Sequence, residues 1–545
     1  MAPNFSQRSL QVCRDFLQTA VIIDDRFHFQ NPNPPVLLSV TPGRNKASKS
    51  ITQHKPSALY DGALDAPQLI KSFAVHGIIC GALRFQEFQD DSVTFLNIAR
   101  RADIAIIDWE MEEEKTGRHA LTLISNLLKD DLSTPQRFRL ISIYTGAEDL
   151  SSISEAIQTH IQETFSVQLC SQNQGLYLQY HSIIITIFAK DERGIPDHFK
   201  DSVANEQELP ERIIKCFANS IHGILPNTAL AALTALRGNA HKLLGQFSNR
   251  LDAAYLSHKI MSNPPDDAEN QLVNLLVSNI AGILEEHEIA SQASYPAIES
   301  WVTEQFDNRV QYRERIHIKK DNKHAKEQLL KLLNQGLAKA SLNKGNKSFY
   351  AQINKLKNES TKKVLSELTA VFASSPADAE ILDRDLAYML SCKTSYTPAG
   401  PKLEPGSILK ECTTNSYLIC IQPACDCCRI PAKGRNFLFL PLIPNESTFD
   451  ISIPQKESHA LNLRIDNKAY SVRTLHFKPI KATEPIRARK QGDSWIFVDS
   501  SGVPIVLEWI VTLKRGISLK LAHDFGKNIS RVGITESEWQ RRWAK

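Results

Sequence analysis

No apolar run in the 545 residues approaches the ~20 that a bilayer-spanning helix needs, so no membrane association is expected. Neither sign of charge dominates: 64 Lys and Arg stand against 60 Asp and Glu, and the formal net of +4 argues for no particular partner. Cysteine is thin and scattered, ten residues without a dense framework, which speaks against a disulfide scaffold and for a reducing cytoplasm. The opening residues from Met1 to Arg8 lack the apolar stretch of a secretory signal. Also missing are a Gly-rich phosphate loop, a nucleotide-hydrolase motif, a nucleophile elbow, a helix-turn-helix pattern and any repeat of fixed period. What is left is ordinary globular protein, 42% apolar and 23% charged, long enough for two to four domains.

The informative part lies in the first 190 residues, where four short apolar runs each end on a polar landmark. Asp24 and Asp25 close Ala20, Val21, Ile22 and Ile23; Asp108 closes Ile104, Ala105, Ile106 and Ile107. Thr145 follows Leu140, Ile141, Ser142, Ile143 and Tyr144, and Lys190 follows the run from Ile183 to Ala189. Such runs read as buried parallel strands. A further strand is expected over residues 75–83. Between the runs, Leu121, Ile124, Leu127 and Leu128, then Ile153, Ala156, Ile157, Ile161 and Phe165, recur at helical spacing. Strands alternating with helices imply βαβ units and a doubly wound α/β sheet. Residues 31–57, rich in Pro, Lys and Ser, read as a long loop inserted after the first strand. Ligands of open α/β sheets bind at the carboxyl ends of the strands, so three acids, a hydroxyl and a lysine are brought to one crevice. That set suits a divalent cation and a phosphoryl group. Singly, an Asp-Asp pair caps helices and a lysine after a strand is commonplace; the four in order carry the reading.

In this order and context the segment resembles the receiver domain of two-component response regulators. The resemblance implies a flavodoxin-like fold and Asp108 as the phosphoacceptor. It implies Mg²⁺ held by Asp24, Asp25, Asp108 and the backbone carbonyl of Glu110, and phosphoryl oxygens met by Thr145 and Lys190. It also implies a sensor histidine kinase as partner, and a phosphoacceptor rather than an enzyme, with self-dephosphorylation at most. The chemistry agrees: two anions repel, and a cation with a lysine neutralises the charge that separates a carboxylate from a phosphoryl group. Two positions depart from the usual receiver pattern: Asp191 stands where proline is common, and Ile187 where an aromatic often reports the switch. The loop from Trp109 to Gly117 is also unusually acidic.

The expected domains are a receiver-like domain over residues 1–200, an α-helical domain over 205–395, and a small β-rich domain with a helical tail over 396–545. In the last, strands are expected at residues 417–421, 437–442, 449–453, 460–465, 494–498 and 503–507. Within the helical part, residues 309–363 hold 15 Lys and Arg against 4 Asp and Glu, a local net of +11. A phosphorylation-controlled nucleic-acid-binding regulator is therefore the alternative, although aromatics for base stacking are sparse there. Cys425 and Cys428 have C-x-x-C spacing, but no second pair accompanies them, so incidental thiols are favoured over zinc. His241 resembles a phosphotransfer histidine, yet Leu244 stands where that motif carries lysine, and an ordinary surface histidine is the default. A receiver with no legible output reads as a phosphoryl sink or an adaptor, and a second response regulator competing for the same kinase is a candidate partner. The insertion and the long C-terminal part also resemble the buffering receiver component of Detocs-type anti-phage systems.

Overall fold

The computed structural model describes residues 4–28, 64–112, 115–133, 138–190, 194–263, 265–308, 322–339, 368–373, 375–393, 400–445, 449–453, 461–500, 502–529 and 541. The chain forms two compact units, one of residues 1–308 with 329–334, the other of 309–328 with 335–545. The loop expected over residues 31–57 lies outside the described residues.

The first unit opens with α1 (Phe5–Phe16), whose start is fixed by a capping box between Asn4 and Gln7. After β1 (Thr19–Asp24), the two-residue strands β2 (Phe27–His28) and β3 (Leu64–Asp65) pair in parallel. Asp65 caps α2 (Ala66–Val75), and the chain then turns through Gly77 at φ +76 into β4 (Ile79–Arg84). The strand expected from residue 75 thus starts four residues later, because the helix runs to Val75 and needs the left-handed glycine to end. There follow α3 (Phe88–Ala99), β5 (Ile104–Ile107), α4 (Arg118–Ser133), β6 (Arg139–Thr145), α5 (Leu150–Phe165), a hairpin of β7 (Cys170–Gln172) and β8 (Tyr177–Tyr180), β9 (Ile183–Ala189) and α6 (Leu209–Ser220).

The sheet order is β4-β1-β5-β6-β9-β8-β7, with the first five strands parallel and the hairpin antiparallel on the far edge. Those five strands follow the doubly wound order of flavodoxin-like folds. Period-2 alternation sends side chains to opposite faces. On one face Val21, Ile23, Ala105, Ile107, Ile141, Ile143, Ile185 and Ile187 pack with Phe95 of α3, with Leu123, Ile124 and Leu127 of α4, and with Ile157 of α5. Ala20, Ile22, Ile104, Ile106, Leu140 and Ile184 face the other way, onto Phe16 of α1, Phe73 of α2 and Phe217 of α6. Both faces are covered, which is why these strands are apolar throughout. Beyond α6, α7 (Ile224–Gly238) packs on α1, and its Arg237 reaches Asp103 Oδ1 at 2.9 Å. The short α8 (Ala240–Gln246), α9 (Asp252–Met261), α10 (Asp266–Glu286) and α11 (Tyr295–Asn308) complete this unit. Of the basic stretch, α12 (Asn322–Lys339) is described as helix.

The second unit holds an antiparallel sheet. Its path is β13 (Ile451–Ile453), β14 (Leu461–Ile465), β12 (Arg435–Pro444), β11 (Tyr417–Cys420), β10 (Ser407–Glu411), β18 (Val506–Thr512), β17 (Ser494–Val498) and β16 (Arg489–Gln491), with β15 (Arg473–Phe477) also paired to β12. One face buries Leu409, Leu418, Phe437, Phe477 and Phe497. The other buries Ile408, Ile419, Leu440 and Val511 with Phe525. Helices α13 (Pro376–Ser391) and α14 (Arg515–Ile529) belong to this unit, and the tail expected to reach residue 545 is described as helix to Ile529. The chain is therefore a mixed α/β protein: a mainly parallel sheet with helices, a helical region, and an antiparallel β-rich part. Among the described residues no helix is long and apolar enough to cross a membrane.

Candidate phosphoacceptor site

Register brings the landmarks together. Ile23 is paired with Ile107, Ile107 with Ile143, and Ile143 with Ile187, so the parallel strands end at one level. Asp24 is the last residue of β1, Asp108 follows β5, Thr145 ends β6 and Lys190 follows β9. Backbone bonds hold the ends in place: Asp108 N donates to Ile23 O at 3.0 Å, and Lys190 N to Thr145 O at 2.8 Å.

Lys190 Nζ lies 2.5 Å from Asp24 Oδ2 and 3.1 Å from Asp108 Oδ1, with all three side chains at most 8% exposed. Asp24 Oδ1 accepts from Arg26 N at 2.8 Å, and Asp25 Oδ2 accepts from Glu112 N at 3.0 Å. Oxygens of Asp24, Asp25 and Asp108 lie within 4.8 Å of one another. Asp25 Oδ1 and Asp108 Oδ1 are buried, and beyond their ion pairs with Arg26 and Lys190 neither accepts a well-formed hydrogen bond from the described residues. Buried carboxylate oxygens so short of donors call for a further partner, and a hard cation with oxygen ligands is the one this donor set fits. Thr145 is fully buried; its Oγ1 accepts from Ala147 N at 3.1 Å, which leaves the hydroxyl proton to donate.

Burial pushes the Asp108 carboxyl up to about 8, with Asp24 and Asp25 adding to the effect and Lys190 opposing it. Asp25 is raised as well, by burial first and by Asp24, against the Glu112 amide. Burial works against the Lys190 ammonium, but Asp108 and Asp24 outweigh it and its pKa stands above the ordinary lysine value.

The Glu110 side chain lies beside Arg26, its Oε2 3.5 Å from Nη2. Around it the loop is pinned, with Trp109 and Met111 buried. Gly117 closes the loop at φ +71, and a Cβ there would stand 2.2 Å from atoms of the Trp109 ring. Gly117→Ala is therefore expected to cost about 1–3 kcal/mol in urea unfolding. A loss below about 0.5 kcal/mol would mean the loop relaxes freely.

Two residues near the site escaped sequence reasoning. Arg26 had a signal, a cation directly after two acids. Glu206 had none: the parallel bridge between Ala189 and Val203 brings its segment to β9, where its carboxylate accepts from Asp65 N at 2.9 Å and interacts with Lys190. Ile187 is a core residue, and Asp191 lies outside the described residues. His241 is exposed on α8. Cys425 and Cys428 are exposed while Cys420 and Cys427 are buried, and among the described residues the acid trio is the group of three able to hold a metal.

The carboxyl edge of this doubly wound sheet thus carries three acids and a lysine. Residues 16–194 match the family described as the response receiver domain, and that segment, about a third of the chain, is a receiver domain. No curated protein and no solved structure matches the chain. Receiver domains accept phosphoryl groups, generally bind Mg²⁺ through such acids, and generally work with histidine kinases.

Proposed function

We propose that this protein takes a phosphoryl group from a sensor histidine kinase onto Asp108 and serves as a phosphoryl sink or adaptor in a cytoplasmic two-component system. The observation that supports it best is Lys190 bridging Asp24 and Asp108 beside buried carboxylate oxygens short of donors. In this reading an Asp108 carboxylate oxygen attacks phosphorus, the P–N bond of the phosphohistidine breaks, and the imidazole nitrogen keeps the electron pair. Mg²⁺ held by Asp24, Asp25, Asp108 and the Glu110 carbonyl supplies charge neutralisation. Lys190 faces the charge on the transferred group, and the Thr145 hydroxyl donates to one of its oxygens. The sink role draws on the absence of a legible output motif in the sequence, and the anti-phage setting on the Detocs-type resemblance.

The test is intact mass after incubation with Mg²⁺ and acetyl phosphate, with Asp108→Asn alongside. The expected result is a gain of one phosphoryl group in the parent and none in the variant; a gain in both would place the acceptor elsewhere. Sink and adaptor then separate by whether this protein drains a second regulator sharing its kinase. Strongly salt-dependent nucleic-acid binding would favour the alternative regulator instead.

A further inference from the structure

Arg26 spans the mouth of the crevice. Its Nη2 lies 3.5 Å from Glu110 Oε2 and its Nε 3.9 Å from Asp25 Oδ1. Its other end faces Gly146: a Cβ built there would stand 3.7 Å from Nη1. Gly146 follows Thr145, so the guanidinium reaches from the acid side of the site to the hydroxyl side. The side chain is 36% exposed, whereas Lys190 beneath it is 8% exposed. Lys190 is committed to Asp24 and Asp108 from inside; Arg26 holds its two carboxylates more loosely, at 3.5 and 3.9 Å, from outside.

Resting on the receiver reading above, we propose that Arg26 is a second cationic phosphoryl-binding residue, which exchanges its Glu110 contact for an oxygen of the group on Asp108 and lengthens that group's lifetime. A guanidinium presents several donors in a fixed fork and forms charge-assisted bonds with phosphoryl oxygens. A phosphoryl group on Asp108 brings new acceptors to the crevice, against which the partly exposed Glu110 pair is a weak competitor. Hydrolysis requires water to attack phosphorus as the P–O bond to Asp108 breaks, returning the electron pair to the carboxylate and releasing inorganic phosphate. Arg26 over the open side stands in the way of that water.

The experiment compares the parent with Arg26→Gln and Arg26→Lys in the full chain. Beryllofluoride with Mg²⁺ serves as a phosphoryl mimic, read by tryptophan emission with Trp109→Phe as the assignment control, and the acyl phosphate is followed by intact mass. Arg26→Gln is expected to bind beryllofluoride about tenfold more weakly and to lose its phosphoryl group about tenfold faster. Arg26→Lys is expected to recover part of both. Mg²⁺ affinity and thermal midpoint should hold or rise slightly in Arg26→Gln, which a merely structural role would not produce. Parent-like beryllofluoride affinity and lifetime in Arg26→Gln overturn the role of Arg26 alone. A parent that takes up neither beryllofluoride nor a phosphoryl group overturns the receiver reading and this proposal with it.

Discussion

Lys190→Met is expected to destabilise the metal-free protein by about 3–5 kcal/mol, the usual cost of removing one partner from a buried charge pair. The ammonium lies against Asp24 and Asp108, both buried, and methionine leaves those carboxylates facing one another with no cation. The loss should shrink on acidification, because protonating Asp108 removes the repulsion that the lysine had countered. It should also shrink with Mg²⁺, which replaces the missing charge; a cation at a hundred times its dissociation constant adds about 2.7 kcal/mol. Urea unfolding in chelator and in Mg²⁺, at pH 8 and pH 10, measures all of this. Asp24→Asn combined with Lys190→Met should recover part of the loss. A deficit below about 1 kcal/mol in chelator at pH 10 would show that Lys190 is not the charge partner of these acids.

How much of this was legible in the sequence follows from where each residue points. β1, β5, β6 and β9 are buried on both faces, so their side chains form unbroken apolar runs, and the polar residue ending each run stands out. The landmarks then converge because parallel strands in register end together. β4 is an edge strand with no buried residue, so its run blended into the end of α2. The β7–β8 hairpin gave little sign: β7 is exposed throughout, and its turn uses left-handed Asn173 and Gln174 before Gly175. In the second unit, β12 and β17 were legible from their aromatic and aliphatic runs. β15 was not, because of its five residues only Leu475 and Phe477 are buried, and β16 is exposed throughout. In the site, the acids, Thr145 and Lys190 are marked by their position at strand ends. Glu206 is brought in by the bridge of Val203 to Ala189 at the end of β9, and local pattern holds no trace of it.

Mg²⁺ affinity is expected to rise about tenfold per pH unit between pH 6 and pH 8, and to level off above. The cation needs ionised carboxylates, while the metal-free crevice holds a proton on Asp108 up to about pH 8. Below that value each binding event must displace the proton; above it there is none to displace. The sign for stability runs the other way. Asp108 has a folded pKa raised above its unfolded value of 3.8, so its protonated form favours the fold. That contribution is fully present below about pH 4 and is lost as pH rises toward about 8. Asp25, also raised, acts in the same direction. Mg²⁺ should therefore stabilise the protein most at alkaline pH, where the empty crevice is least stable. Asp108→Asn should flatten the pH dependence of the metal-free stability and weaken Mg²⁺ binding together, since one carboxyl supplies both effects. Isothermal titration at pH 6, 8 and 9.5 in two buffers of different ionisation enthalpy counts the protons released. Close to one proton at pH 6 and close to none above pH 8 is the expected result, and a count that does not change with pH would remove Asp108 as the proton-bearing ligand.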